Sequence, residues 1–238
     1  MLTAYLTTTQ QFLQNPVTTP PLYATSDLTG YINTARTQIA IEAECIRVKG
    51  SLALSNATQS YAFSSITFSA SGILAPINVR TASLVSGSTQ NILDQRPWEW
   101  FNNYYYSGGI NAAGSPTVWS QQGQGENGTM FFYPIPNGAL TVSMDVVALP
   151  IALVDNTTFE AIPYPWTDAV PFYAAYYAFI SAQRQTDADK MLERYEMFVK
   201  RARQGSTPTV LPDNNPGGPG AQMAALKSPV TGAMGGGR

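Results

Sequence analysis

Residues 163–184, PYPWTDAVPFYAAYYAFISAQR, constrain this chain more than any other stretch, because they spell a helix without a polar face. Thr167 or Asp168 can cap its start, and Pro171 falls in the opening turn, where a missing backbone N–H does little harm. Neither Gly nor Pro recurs until Gly205. From Phe172 to Ile180 every side chain is apolar or aromatic, and a helix that is apolar all round is buried on most of its sides. Behind it, residues 186–204 put Met191, Leu192, Tyr195, Phe198, Val199 and Ala202 on one stripe, with Lys190, Glu193, Arg194, Lys200 and Arg203 elsewhere. That is an amphipathic helix starting at Thr186 or Asp187, and the two helices predict a hairpin. Two uses are open for it. It is the core of a globular domain, or a core whose aromatic surplus also covers a neighbouring subunit, since aromatic side chains anchor protein interfaces.

The totals narrow the function classes. A chain of 238 residues holds one large domain or two small ones with a well-buried core. Charged residues make up 12% and the net charge is −2, against a usual charged share of about 25%, so much of the surface is expected to face other protein. Without an excess of Lys and Arg, dedicated nucleic-acid binding is not expected, because counterion release needs many basic contacts. Histidine is absent, which removes the His-based triads, the usual zinc ligands and the commonest general base. Cys45 is the single cysteine, so no intrachain disulfide forms. The opening MLTAYLTTTQQFLQN has neither a basic n-region nor a long apolar run, and no later stretch of about 20 apolar residues predicts a membrane span. The chain reads as soluble, made in the cytoplasm and without a membrane partner.

Taken in order, residues 2–13 predict a short helix and residues 15–23, NPVTTPPLY, an extended connector. Ser26 is a candidate cap for a long helix over residues 27–48, where Leu28, Ile32, Ala35, Ile39, Ala43 and Ile46 recur at helical steps and Ile41, Cys45 and Val48 extend the stripe. Cys45 is therefore read as a small buried side chain rather than a nucleophile, and Glu42 and Glu44 point in different directions. From Gly50 the period becomes alternating: Tyr61 and Phe63, Ile66 and Phe68, then Ile77 and Val79 predict strands. Residues 95–106, QRPWEWFNNYYY, predict a short aromatic helix after Pro97 and precede a loop. The clearest β region is 129–149, where TMFFYPIP runs into Asn137-Gly138 and then into Leu140, Val142, Met144 and Val146 alternating with polar residues, the pattern of a hairpin. After Gly205 the chain is built of Pro, Gly and Ala with scattered apolar residues, and no independent core is expected there.

Few motifs carry chemistry. GQGENG, residues 123–128, matches a bare G-x-G-x-x-G, but a dinucleotide loop must open a helix and here strand-like TMFFYPI follows, so a loop joining two strands is the reading. The sequons at Asn56, Asn127 and Asn156 read as polar turns. Trp98, Trp100, Tyr104, Tyr105 and Tyr106 serve packing, an interface or a sugar-stacking platform. The acidic residues Asp187, Asp189, Glu193 and Glu196 read as a solvated helix face. No catalytic, cofactor-binding or metal-binding residue is singled out, and the chain is not read as an enzyme.

Three segments resemble the head-to-tail adaptor (connector) proteins of tailed, especially short-tailed, bacteriophages. They are SDLTGYINTARTQIAIEAECIR, like that family's opening long helix; FFYPIPNGALTVSMDVVALPIAL, an aromatic strand, turn and alternating strand; and IPYPWTDAVPFYAAYYAFISAQR with MLERYEMFVKRAR behind it. The likeness spans most of residues 26–204 and leaves out the tail and residues 98–106. It implies a structural virion protein at the head–tail junction. Such a subunit forms a homo-oligomeric ring of about twelve copies beneath the portal protein, docks the tail tube or nozzle and passes genomic DNA without specific binding. It further implies a tail that contacts the portal, through Val210, Leu211, Met223, Leu226, Val230 and Met234. The fold expected is α+β: residues 1–50 and 161–205 as a helical bundle enclosing an antiparallel β-domain at 51–160, with 206–238 as an extended tail. The alternative is an aromatic-rich carbohydrate-binding or host-recognition module of a phage tail.

Overall fold

A computed structural model describes residues 1–14, 22–106 and 112–206, with side chains through Ala202. Two helices open the chain, α1 (Leu2–Phe12) and α2 (Thr25–Ala43). Helix α2 differs from expectation at both ends. Ala24 is its N-cap and Ser26 does not cap it; Asp27 in the first turn interacts favourably with the helix dipole instead. The helix stops at Ala43 rather than Val48, because Glu44 turns left-handed (φ 48°) and β1 (Arg47–Leu54) begins three residues on. The β-branched residues Ile46 and Val48 fit a strand as well as a helix, and eight residues of pairing with a central strand decide the outcome. Ile46, just before the strand, stays buried in the helical core.

The strands that follow are β2 (Ser60–Ala62), β3 (Thr67–Phe68), β4 (Ile73–Ser86), β5 (Thr89–Ile92) and β6 (Asp94–Gln95). After the short helix α3 (Trp98–Phe101) come β7 (Ala113–Gly114), β8 (Val118–Gln122), β9 (Thr129–Tyr133), β10 (Ile135–Pro136) and β11 (Leu140–Pro150). A five-stranded antiparallel sheet runs β3-β1-β11-β4-β5 and a four-stranded sheet runs β2-β9-β8-β6, with β7 and β10 as a small parallel pair. Leu52 and Leu54 of β1, Val79, Ala82 and Leu84 of β4, and Val142, Met144 and Val146 of β11 meet Trp119 of β8 and Met130 and Phe132 of β9 in one core. The two sheets thus pack face to face through these inward side chains.

The hairpin expected around Asn137-Gly138 is not formed. Strand β9 pairs with β2 and β8, whereas β11 pairs with β1 and β4, so the aromatic and alternating strands belong to different sheets. The alternation of β11 was legible, but its partners lie about ninety and sixty residues earlier, where β1 and β4 offer long matching strands. Strand β11 outruns the sandwich: Ala148 and, beyond it, Leu153 join the core of the helices.

A 3₁₀ turn, Trp166–Ala169, leads into α4 (Val170–Ser181) and then α5 (Gln185–Ser206). The all-apolar helix is α4, with Ala169 as N-cap in place of Thr167 or Asp168 and Pro171 in its first turn as expected. It packs on α1 and α2, with Phe12 stacked on Phe172 at 4.6 Å and Tyr31 on Tyr177 at 6.1 Å. Helix α5 covers another side through Tyr173–Tyr195 and Phe172–Phe198 contacts at 4.6 and 5.1 Å. The chain reverses at Gln183 (φ 59°), where the Arg184 guanidinium lies 4.7 Å from the Phe179 ring centre and pairs with Asp187. Residues Met1–Ala202 form one unit, and no helix among the described residues is long and apolar enough to cross a membrane.

Candidate functional site

The aromatic insertion is built on the outer face of the four-stranded sheet. Met130 and Phe132 point into the sandwich, so with a period of two Phe131 and Tyr133 project from the other face of β9. Pro97 starts α3, and the backbone then widens into a π-helical turn, Asn102–Tyr106. The turn lays its rings on that face. Trp98 sits 4.4 Å from Phe131, Tyr106 meets Phe131 edge-on at 5.3 Å, and Tyr105 stacks on Tyr133 at 3.9 Å. Phe101 is fully buried beneath them, and Ser120, paired with Phe131 across the sheet, is sealed as well. Each such ring pair contributes about 0.5–1.5 kcal/mol beyond the area it buries.

Of the five aromatic residues singled out, three are largely committed to this lid. Trp98, Trp100 and Tyr105 are half-buried. Trp100 touches Tyr104 at 4.8 Å and Tyr105 at 5.2 Å, and the Arg96 guanidinium lies 5.1 Å from its ring centre. Tyr104 and Tyr106 remain 55% and 51% exposed. Beside the lid, Gln95, Arg96, Trp98, Glu99 and Gln121 line an open groove. The tail residues Val210, Leu211, Met223, Leu226, Val230 and Met234 lie outside the described residues.

The ionisable groups are arranged for structure. Glu42 accepts a 2.7 Å hydrogen bond from the Tyr195 hydroxyl and another from Gln38, while Glu44 pairs with Arg80, so the two carboxylates serve separate contacts. Burial pushes the Cys45 thiol up to about 12, which keeps it a protonated, weakly reactive group. Burial first, and then the hydrogen bond to Glu42, raises the Tyr195 hydroxyl well above its ordinary value; Tyr5 is raised by burial and by the Glu160 charge. Asp155 is lowered to about 2 by hydrogen bonds from Thr157 and Thr158, which close a polar turn at the Asn156 sequon. No cluster of three or more Cys, Asp or Glu placed to hold a metal occurs among the described residues.

The G-x-G-x-x-G stretch leaves β8, makes a 3₁₀ turn at Gly125–Asn127 and enters β9. Gly123 and Gly125 take φ of 75° and 64°, and Gly128 faces the Phe63 ring so closely that an added Cβ would stand 2.4 Å from it. The glycines serve a strand–strand turn and a close approach, with no helix to cradle phosphate.

Sequence reading passed over a set of exposed apolar side chains. Leu22 precedes α2, Leu74 lies on β4, Ile92 ends β5, and Val154, Phe159 and Tyr164 stand on the segment between β11 and α4; each is more than half exposed. In sequence Leu22, Leu74 and Val154 adjoin other apolar residues and nothing marks them as exposed; the only signal is Val154, Phe159 and Tyr164 recurring in one Pro- and Thr-containing loop. No protein-family model matches this chain, and no curated protein is significantly similar to it.

Proposed function

We propose that this chain is a structural subunit that acts by contact within a multi-copy protein assembly. More particularly, it is a head-to-tail adaptor of a tailed, short-tailed bacteriophage: a ring of about twelve copies beneath the portal that extends the DNA channel and receives the tail tube or nozzle. In this reading a helical bundle, a β-domain and an extended tail divide the contacts among neighbour, tail side and portal. The observation that carries it is the placement of exposed apolar side chains on a charge-poor chain. Single exposed apolar residues are ordinary, but here they occur on the helical side (Leu22, Ile180), on the segment before α4 (Val154, Phe159, Tyr164) and on the β side (Ile92, Tyr104, Tyr106). A closed ring needs two different complementary surfaces on each subunit, and apolar contacts repeated around it gain strength through multivalency.

Negative-stain microscopy of the purified full chain mixed with a portal ring from the same source tests this. The expected image is a portal with a second ring added at one end; an unchanged portal overturns the reading. Deleting residues 206–238 should abolish that association while leaving the unfolding transition of the remaining chain in place, and association that survives the deletion removes the role given to the tail. The second reading, a carbohydrate-binding module, draws on the groove where amide, guanidinium and carboxylate groups stand beside the Trp98 indole. Retention on a glycan array that is lost when Trp98 and Trp100 are replaced would favour it.

A further inference from the structure

One concave surface is largely apolar. Helix α1, the start of α4 and Phe198 of α5 enclose an open groove of about 360 Å³ lined by Met1, Ala4, Phe12, Pro171, Phe172 and Phe198. Its floor is a continuous aromatic stack: Phe12 on Phe172 at 4.6 Å with planes 25° apart, then Phe172 on Phe198 at 5.1 Å and 24°. All three rings are only half-buried, and Met1 is half exposed. The volume falls at the lower end of the range of about 300–1,000 Å³ in which concave sites take up apolar groups.

We infer that this groove receives residues 207–212, TPTVLP, from a second copy of the chain. Four observations point to that occupant. Residues 204–212 carry no charge, and the groove walls are uncharged apart from Asp168 and the Met1 amine at the rim. Val210 and Leu211 are the first apolar pair beyond α5 and are bracketed by Pro208 and Pro212. Proline-bracketed segments are held extended at low entropic cost, and aromatic-lined grooves are what such segments bind. Length also fits: α1 offers about 16 Å along its axis, and six extended residues span about 20 Å.

The occupant comes from a neighbour in the multi-copy assembly proposed above. Residues 213–238 then remain to reach a further partner, up to about 85 Å away if extended. The inference rests on the ring reading in one respect, that the neighbour is another copy. It assigns Val210 and Leu211 to the subunit contact and leaves Met223, Leu226, Val230 and Met234 for the portal.

The test uses full-length chains in which Cys45 is replaced by Ser. One carries Thr8→Cys, on the groove wall, and the other Val210→Cys. Mixed and mildly oxidised, they should form a disulfide-linked pair of one chain of each kind at least about tenfold faster than Thr8→Cys mixed with Gly236→Cys, because docking raises the effective concentration of the two thiols. Filling the groove with Ala4→Trp, at an exposed position, should remove that advantage while circular dichroism stays unchanged. A Thr8→Cys/Val210→Cys double variant that closes only within one chain would show that the segment returns to its own groove. Equal rates for Val210→Cys and Gly236→Cys would show that it docks nowhere on this surface, and either result overturns the inference. Portal microscopy reports separately: a mixed disulfide without a ring on the portal would sink the adaptor reading and leave the groove contact standing.

Discussion

Arg36 is a buried charge, 1% exposed, and it holds the segment after β11 against α2. Its guanidinium donates to both Glu160 carboxylate oxygens at 2.9–3.2 Å and to the Ile151 carbonyl at 2.7 Å, while Asn33 beside it exchanges hydrogen bonds with the Leu153 backbone. A buried pair of this kind is worth little over an apolar replacement, but removing one partner strands the other. Glu160→Gln or Arg36→Met should therefore lower stability by about 3–5 kcal/mol, and the double replacement Arg36→Met/Glu160→Leu should recover part of that loss in urea unfolding. The buried tyrosines add a pH dependence. Tyr5 and Tyr195 are raised in the fold, so above the ordinary tyrosine value of about 10 the unfolded chain releases protons that the folded chain keeps. For these two groups stability should be level below that pH and fall above it, by up to about 1.4 kcal/mol per pH unit for each group, and the raised Cys45 thiol adds to the loss in alkali. Tyr195→Phe should flatten the slope; a midpoint unaltered between pH 9 and 11 would contradict this.

At the level of elements, the helices around α4 were readable because nine consecutive apolar residues leave a helix no exposed side, whatever it packs on. Strand β11 was readable for a similar local reason. What could not be read was pairing: the Asn137-Gly138 signal is local, whereas β1 and β4 reach β11 from far along the chain, and their longer ladders override the turn. The end of α2 failed likewise, since Ile46 and Val48 satisfy either period and only the partner strand selects one. The aromatic residues 98–106 were legible as a cluster, but nothing in the sequence said that they lie on Phe131 and Tyr133. Gly128 offers a direct probe of the β8–β9 turn. Its backbone φ of −67° suits any residue, yet a Cβ there meets the fully buried Phe63 ring. Gly128→Ala should cost about 1–3 kcal/mol through overpacking, and Phe63→Leu in the same chain should return much of it, as thermal unfolding of the two variants would report.

At the scale of the whole molecule, the balance of charge separates two ways in which such a chain could hold its partners. Thirteen basic and fifteen acidic side chains leave little net field, and the exposed pairs Arg47–Asp145, Arg80–Glu44 and Arg184–Asp187 neutralise one another locally. Attraction between oppositely charged faces would weaken as the screening length shrinks to about 3 Å at 1 M salt, whereas apolar contacts survive salt. Association of the full chain with its partner should therefore persist at 1 M sodium chloride, and replacing an exposed apolar residue should disrupt it instead. Ile92→Lys and Tyr164→Asp sit at highly exposed positions, so each should change stability by no more than about 0.5 kcal/mol while weakening assembly. The chain alone should retain no duplex DNA at physiological salt, since grip on a polyanion requires several uncompensated cations. Sedimentation of the assembly across a salt series, with filter binding of DNA alongside, measures both. Loss of assembly at high salt with both apolar variants still competent would place the driving force in the charges and exclude an apolar ring contact.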